Sequence, residues 1–138
     1  MNRAANAALI LVGGMAGTVV RAGLEAVFPP AGGTWPWATF AINISGSLAL
    51  GVLLELLAGF DDDGWRRSVR LGVGTGFFGG FTTYSSFSLE TVALLRNGDA
   101  LLGIGYAVSS VTLGIAAALV AMLGVRRLRT RASRREAT

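Results

Sequence analysis

Four stretches of this chain, residues 4–20, 26–54, 71–89 and 100–125, contain no aspartate, glutamate, lysine or arginine. A helix crosses the hydrocarbon core of a bilayer with about 20 apolar residues, and each stretch is of that order or longer. A soluble helical core does not need four of them in 138 residues. The composition agrees: 14% of residues are charged and 52% hydrophobic, where a soluble domain carries about 25% charge. Trimmed at their turn residues, the stretches predict an all-α membrane protein with transmembrane helices over about 4–27, 35–58, 68–95 and 100–124. These form one domain, 1–125, followed by a basic tail at 126–138.

The third stretch is badly suited to an unbroken helix. It holds Gly72, Gly74, Gly76, Gly79 and Gly80, then Thr82, Thr83, Ser85 and Ser86. Glycine lowers helix propensity, and hydroxyls at mid-depth find no partner in lipid. Irregular or polar backbone survives there only where it is buried in protein or lines a wet path. The pattern predicts a third helix broken near its middle, and a small channel as the kind of protein that uses the break.

Several chemistries are excluded. There is no cysteine and no histidine, which removes disulfides, thiolate chemistry and the usual general base near neutral pH. Glu25, Glu55 and Glu90 fall toward span ends and form no pair or metal-like cluster at the level of sequence; no enzyme is expected. Gly74-x-Gly76-x-x-Gly79 has dinucleotide-fingerprint spacing, but it sits inside a span rather than between a strand and a helix. The first span contains Gly13-Gly14 and runs into Arg21 without a small-x-small cleavage site, so it reads as a span rather than a cleaved leader.

Turn residues separate the spans: Pro29-Pro30-Ala31-Gly32-Gly33, Asp61-Asp62-Asp63-Gly64 and Asn97-Gly98-Asp99. Trp35 and Trp37 fit an interfacial aromatic belt. With four spans, Arg3, Arg66, Arg67, Arg70 and the six tail arginines share one side. Arg96 lies opposite, joined by Arg21 if it snorkels outward. The positive-inside rule then puts both termini in the cytoplasm. Because the tail arginines abut a span directly, anionic lipid rather than nucleic acid is their expected partner.

Three helix faces stand out. Thr39, Asn43, Ser47 and Gly51 recur every four residues along span 2. Such a ridge serves close packing as readily as function, but an amide that can donate two hydrogen bonds at mid-depth favours function. On span 1, Gly13 and Gly17 read as packing residues, and Arg21 and Glu25 stand at pairing distance. Arg21 is either a vestibule cation or a snorkelled anchor. On span 4, Tyr106 and Ser110 are one turn apart, with Tyr106 open to an interfacial or a wet-path role.

With residues 79–87 reading GGFTTYSSF, Asn43 in a Thr/Ser-rich second span, and Tyr106-x-x-x-Ser110 in the fourth, the chain resembles the Fluc (CrcB) fluoride channel family over essentially all four spans. The resemblance implies passive fluoride export across the bacterial cell membrane, which lowers cytoplasmic fluoride and its toxicity. It implies an antiparallel dimer with two narrow pores. A structural sodium ion would be held on the two-fold axis by the carbonyls of Gly79 and Thr82. The pore rings correspond to Tyr84 and Phe87, the pore amide to Asn43, and the polar track to Ser85, Ser86, Tyr106 and Ser110. Thr39 joins this set from the Asn43 face. Arg21 and Glu90 fall where the family carries a vestibule or structural charge.

Two features depart from the family pattern. Tyr84 stands where phenylalanine is usual, so its hydroxyl either offers a hydrogen bond or crowds the path. The arginine bias is strong, whereas a self-paired inverted dimer needs one sequence to insert both ways. The expectation is therefore an antiparallel dimer with a partner homologue of opposite orientation, pairing with a second copy being the alternative.

The residue types suit fluoride on physical grounds as well. Amide and hydroxyl donors and the positive edge of an aromatic ring can replace the tightly held water of a small anion. Fixed cations in the narrow part would hold it too well, and spans 2–4 carry none at their centres. Two other readings compete. A four-span drug–proton antiporter needs a protonatable carboxylate in the middle of span 1, where residues 4–20 have none. In a non-transporting scaffold, all the small-residue faces would serve packing.

Overall fold

The computed structural model describes residues 3–29 and 33–136, with side chains through residue 132. Pro30, Ala31 and Gly32 of the first expected turn, and the last two residues of the tail, lie outside the described residues. The described residues are helical with connecting turns and contain no strand. Helix α1 spans Arg3–Val27 and α2 spans Trp37–Leu57. After a turn come α3 (Gly64–Val69), a π-helical segment (Arg70–Phe77), α4 (Phe78–Phe81) and α5 (Ser85–Arg96). The last helix, α6, runs from Ala100 to Glu136.

Three of these helices are long and apolar enough to cross a membrane: Arg3–Val27, Trp37–Leu57 and Ala100–Ala132. The stretch expected as a single span over 68–95 is assembled from shorter pieces. Three glycines in the π-helical segment make wide turns easy, because no Cβ crowds the neighbouring carbonyls. Thr82, with φ −74° and ψ 155°, ends α4 in extended backbone. The basic tail beyond residue 125 continues α6 without a break through Glu136. Its arginines favour that continuation, as cations do near the C-terminal end of a helix dipole.

The core is small, with Ile42, Leu94, Tyr106 and Ala121 its buried apolar residues, and large side chains such as Leu11, Val12, Met15, Ile104, Val108 and Ile115 point outward. In water such a surface would aggregate; in lipid it is the solvated face. Packing between helices therefore rests on close backbone approach. A Cβ at Gly13 would collide with the Gly72 carbonyl, one at Gly17 with the Phe77 carbonyl, and one at Gly80 with the Gly14 carbonyl. Residues 72, 76 and 80 thus form a groove that receives α1. On the other side of the bundle, a Cβ at Gly51 would come within 2.7 Å of the Ala118 carbonyl, so α2 and α6 share a second small-residue seam. The packing reading of the α1 glycines holds, and mid-helix glycine costs about 1 kcal/mol each that this contact offsets.

Gly17→Leu should disrupt the seam, lowering thermal stability in detergent by at least the about 1–3 kcal/mol typical of overpacking. Gly23→Ala, where nothing lies within 4 Å of the added Cβ, should be neutral or stabilising by up to about 1 kcal/mol. Equal unfolding temperatures for the two variants would contradict the packing described.

Candidate functional site

Ending a helix in a low-dielectric environment frees main-chain groups that must find partners. At Thr83 both are supplied by one side chain: Asn43 Nδ2 donates to the Thr83 carbonyl at 3.0 Å, and the Thr83 N–H donates to Asn43 Oδ1 at 2.8 Å. Gly46, one turn further along α2, allows this approach, since a Cβ there would stand 2.5 Å from Thr82 Cγ2. The Thr83 hydroxyl then accepts the Ser86 N–H at 3.1 Å, capping the first turn of α5, and lies 3.1 Å from Ser85 Oγ.

These bonds redirect two amides. In an unbroken helix Thr83 N–H would bond the Gly79 carbonyl and Ser86 N–H the Thr82 carbonyl. Here both amides donate to side chains instead. Gly79 and Thr82 are the two residues named above for main-chain coordination of sodium. Their carbonyl oxygens are hard donors of the kind an alkali cation takes. Gly79 opens onto a groove of about 700 Å³ lined also by Gly14, Thr18, Gly76 and Gly80. Thr82 lines a different cavity. Among the described residues no group of three or more His, Cys, Asp or Glu side chains is placed to hold a metal.

That second cavity, about 300 Å³, lies between α2, α6 and the interruption, and its wall includes Asn43, Ser47, Thr83, Tyr84, Phe87 and Ser110. One amide N–H of Asn43 is committed to Thr83, which leaves the other for the cavity. Ser110 is buried, and its hydroxyl has no hydrogen-bond partner among the described residues. A row of rings borders the site: Tyr84 to Phe87 at 5.9 Å, Phe87 to Tyr106 at 5.5 Å, and Tyr106 to Trp35 at 5.6 Å edge-on. Tyr84 is 81% exposed, so its own chain does not cover it.

Two carboxylates organise the flanks. Glu90 takes Thr39 Oγ1 at 2.7 Å on one oxygen and the Tyr106 hydroxyl at 2.7 Å on the other, tying α5 to α2 and α6. Both hydroxyl donors are fully buried. Glu25 receives Ser86 Oγ at 3.2 Å and pairs with Arg21 at 3.1 Å, while Arg21 Nε donates to the Gly80 carbonyl at 3.2 Å. Arg21 therefore stands at the end of α4, where carbonyls gather negative potential; it is turned into the protein rather than snorkelled.

Most residues singled out from the sequence thus meet. Asn43, Thr82, Tyr84, Phe87 and Ser110 border one cavity; Thr39, Tyr106 and Glu90 form one cluster; Arg21 and Ser86 share Glu25. Ser85 is exposed at the edge, through Thr83. Gly79 faces away from the cavity, into the α1 groove. Sequence reasoning passed over Thr83, the hub of the interruption, and Glu25 as a partner of Ser86. A threonine where the glycine run gives way to a new helix is the N-cap signal that could have singled out Thr83. Nothing in the local sequence announces the Glu25–Ser86 contact, which joins positions 61 residues apart.

Comparison with known proteins bears on the whole arrangement. A family model described as "CrcB-like protein, Camphor Resistance (CrcB)" matches residues 8–124. The chain is 42% identical over 119 residues to "Fluoride-specific ion channel FluC 1" of Cutibacterium acnes, covering 86% of this chain and 83% of the relative. It is 45% identical to "Fluoride-specific ion channel FluC 2" of Leifsonia xyli, covering 86% of each. A third relative, "Fluoride-specific ion channel FluC" of Hyphomonas neptunium, is 42% identical with 87% and 94% covered. The match runs from the first helix to the end of the apolar part of α6 and takes in the Asn43–Thr83 brace, the ring row and the Glu90 cluster, and on that ground the chain belongs to the CrcB-like family.

Proposed function

We propose that this chain is a fluoride-selective channel that lets fluoride leave the cell down its gradient and so limits its toxicity in the cytoplasm. The observation that carries the reading is the helix interruption at Thr82 to Tyr84, beside a cavity walled by an amide, hydroxyls and a ring. The relatives named fluoride-specific channels support it. In this reading the free N–H of Asn43, the Ser110 hydroxyl and the edges of Tyr84 and Phe87 replace the hydration of the ion, and the Ser86 hydroxyl joins them by exchanging Glu25 for the ion. Onward passage leads past Tyr106 and Thr39, whose hydroxyls exchange partners between Glu90 and the ion. The antiporter reading is weaker, because the one carboxylate of α1, Glu25, lies near its end and is held by Arg21 and Ser86.

The same reading makes the 64–96 stretch a fourth membrane-crossing limb, broken near its middle, and the working unit an antiparallel dimer. The uncovered Tyr84 ring and the open groove at Gly79 fit a second subunit closing over them. Gly79 and Thr82 open onto different cavities of one subunit, so a sodium ion would take their carbonyls only where the second subunit closes the site, adding positive charge near the anion path. The redirected Thr83 and Ser86 amides are what make those carbonyls suitable. Ten arginines on the side of the termini give a chain that inserts with both termini in the cytoplasm and pairs with a homologue of opposite orientation.

Liposomes loaded with fluoride should empty through the reconstituted channel, with its partner homologue present if one is needed, while chloride-loaded liposomes do not. Fluoride and chloride released at the same background rate would sink the proposal. Asn43→Leu should abolish flux. It also leaves the Thr83 N–H and carbonyl without partners, a loss of about 1–3 kcal/mol for each, so thermal stability should fall with it. Phe87→Ile keeps apolar bulk and removes the ring edge. It should slow fluoride by about tenfold, equivalent to about 1.4 kcal/mol at the barrier, with stability nearly unchanged. Tags on the two termini should be reached by membrane-impermeant reagent only after cell lysis; labelling of half the molecules in intact cells would show dual insertion and remove the need for a paired homologue.

A further inference from the structure

We propose that the inner end of the bundle carries a binding site for the phosphate of an anionic phospholipid headgroup, formed where the α6 extension meets the end of α2. The proposal rests on the membrane reading of the fold and is independent of which ion the protein carries.

Beyond residue 125 α6 continues through Glu136, about 16 Å at the ordinary helical rise. This part leaves the hydrocarbon core and passes through the headgroup zone. It does not hang free of the protein. Arg129 Nη1 donates to the Glu55 carbonyl at 3.0 Å, and its guanidinium lies 5.4 Å from the centre of the Phe60 ring. Gly59 makes room for it, since a Cβ there would collide with the Arg129 guanidinium. The Arg66 guanidinium sits 4.3 Å from the centre of the same Phe60 ring and 5.7 Å from that of Trp65. Two cations thus share one phenyl ring.

Beside them is a cavity of about 430 Å³ lined by Glu55, Ala58, Gly59, Arg126, Arg129 and Thr130. Arg66 and Arg126 form no ion pair with any described carboxylate, the two described pairs being Arg21–Glu25 and Arg70–Asp62. Glu55 opposes an anion from the α2 wall, and Asp61 to Asp63 lie in the adjoining turn. Even so, among residues with described side chains this end gathers eight arginines (Arg3, Arg66, Arg67 and Arg70, with Arg126, Arg127, Arg129 and Arg131 on α6) against those four carboxylates. A planar guanidinium matches phosphate through paired N–H donors, and the Thr130 hydroxyl adds another. Lipid is favoured over soluble phosphate because the same rim exposes Leu56, Phe60, Trp65 and Leu128. These are surfaces for glycerol and acyl chain at the height where aromatic rings settle in a bilayer.

The test uses the full-length protein in neutral detergent, titrated with short-chain phosphatidylglycerol and, separately, phosphatidylcholine and inorganic phosphate, with retained lipid read by native mass spectrometry. Phosphatidylglycerol should bind saturably and more tightly than phosphatidylcholine. Arg66→Gln and Arg126→Gln should each weaken it by about fivefold, the effect of about one interfacial arginine, while Arg96→Gln at the opposite end leaves it unchanged. Gly59→Ala, which displaces Arg129, should weaken it too. Size-exclusion profile and unfolding temperature in the same detergent report whether each variant is folded, so that failure of the fluoride reading leaves this test intact. Retention equal for the two lipids, or unaltered by the first two substitutions, overturns the proposal. Displacement of phosphatidylglycerol by equimolar inorganic phosphate overturns the assignment to lipid.

Discussion

Every main-chain N–H and carbonyl placed in hydrocarbon needs a partner within the protein, and the exchange between Asn43 and Thr83 meets that demand where the helix stops. The two ends of one amide side chain do for Thr83 what the preceding and following turns of a helix would otherwise do. Much of the neighbourhood is arranged around this contact. Gly46 lets α2 come close enough, Thr82 turns extended, and the Thr83 hydroxyl starts α5. Because side chains have taken over from main-chain partners, the Gly79 and Thr82 carbonyls lose the amides an unbroken helix would give them.

The site also contains acidic groups in a place an anion is proposed to pass. Glu90 and Glu25 are not bare charges. Each accepts hydroxyl donors, and Glu25 is paired with Arg21 as well. A carboxylate that holds two hydroxyls fixes their orientation and joins three helices, so Tyr106 and Thr39 are positioned by the group with which a passing anion would compete for them. A carboxylate within the bundle is costly unless it is hydrogen-bonded or paired, and the bonds that satisfy these two also align the donors.

Charge-free length alone made the membrane class and the three continuous spans legible, because the cost of burying arginine or aspartate in lipid is large enough to override local preference. That Asn43, Tyr84, Phe87 and Ser110 belong to one group was suggested by helical spacing and the family pattern of residues 79–87, whereas Thr82, grouped with Gly79 for sodium, lines the cavity of the others instead. Other features were not. The π-helical segment has no composition signal apart from glycine, since wide and ordinary turns place much the same demand on a residue without a Cβ. The full reach of α6 was hidden because arginine-rich sequence reads equally as solvated tail or as helix; the contacts of Arg129 with Glu55 and Phe60 decide it. Glu25 looked like half of a surface pair with Arg21, and only the fold brings Ser86 to its other side.

The wide turns at residues 70–77 set the azimuth of everything that follows. Each residue added to or removed from an α-helix rotates the next part by about 100°. The segment acts as a fixed angular offset between the basic turn at one end and the interrupted end at the other. It lets the glycine groove face α1 while Thr83 faces α2. A one-residue deletion there, harmless by hydropathy, would swing Gly80 away from Arg21 and Thr83 away from Asn43 together. The aim of the helix is thus encoded a turn or more before the residues it aims.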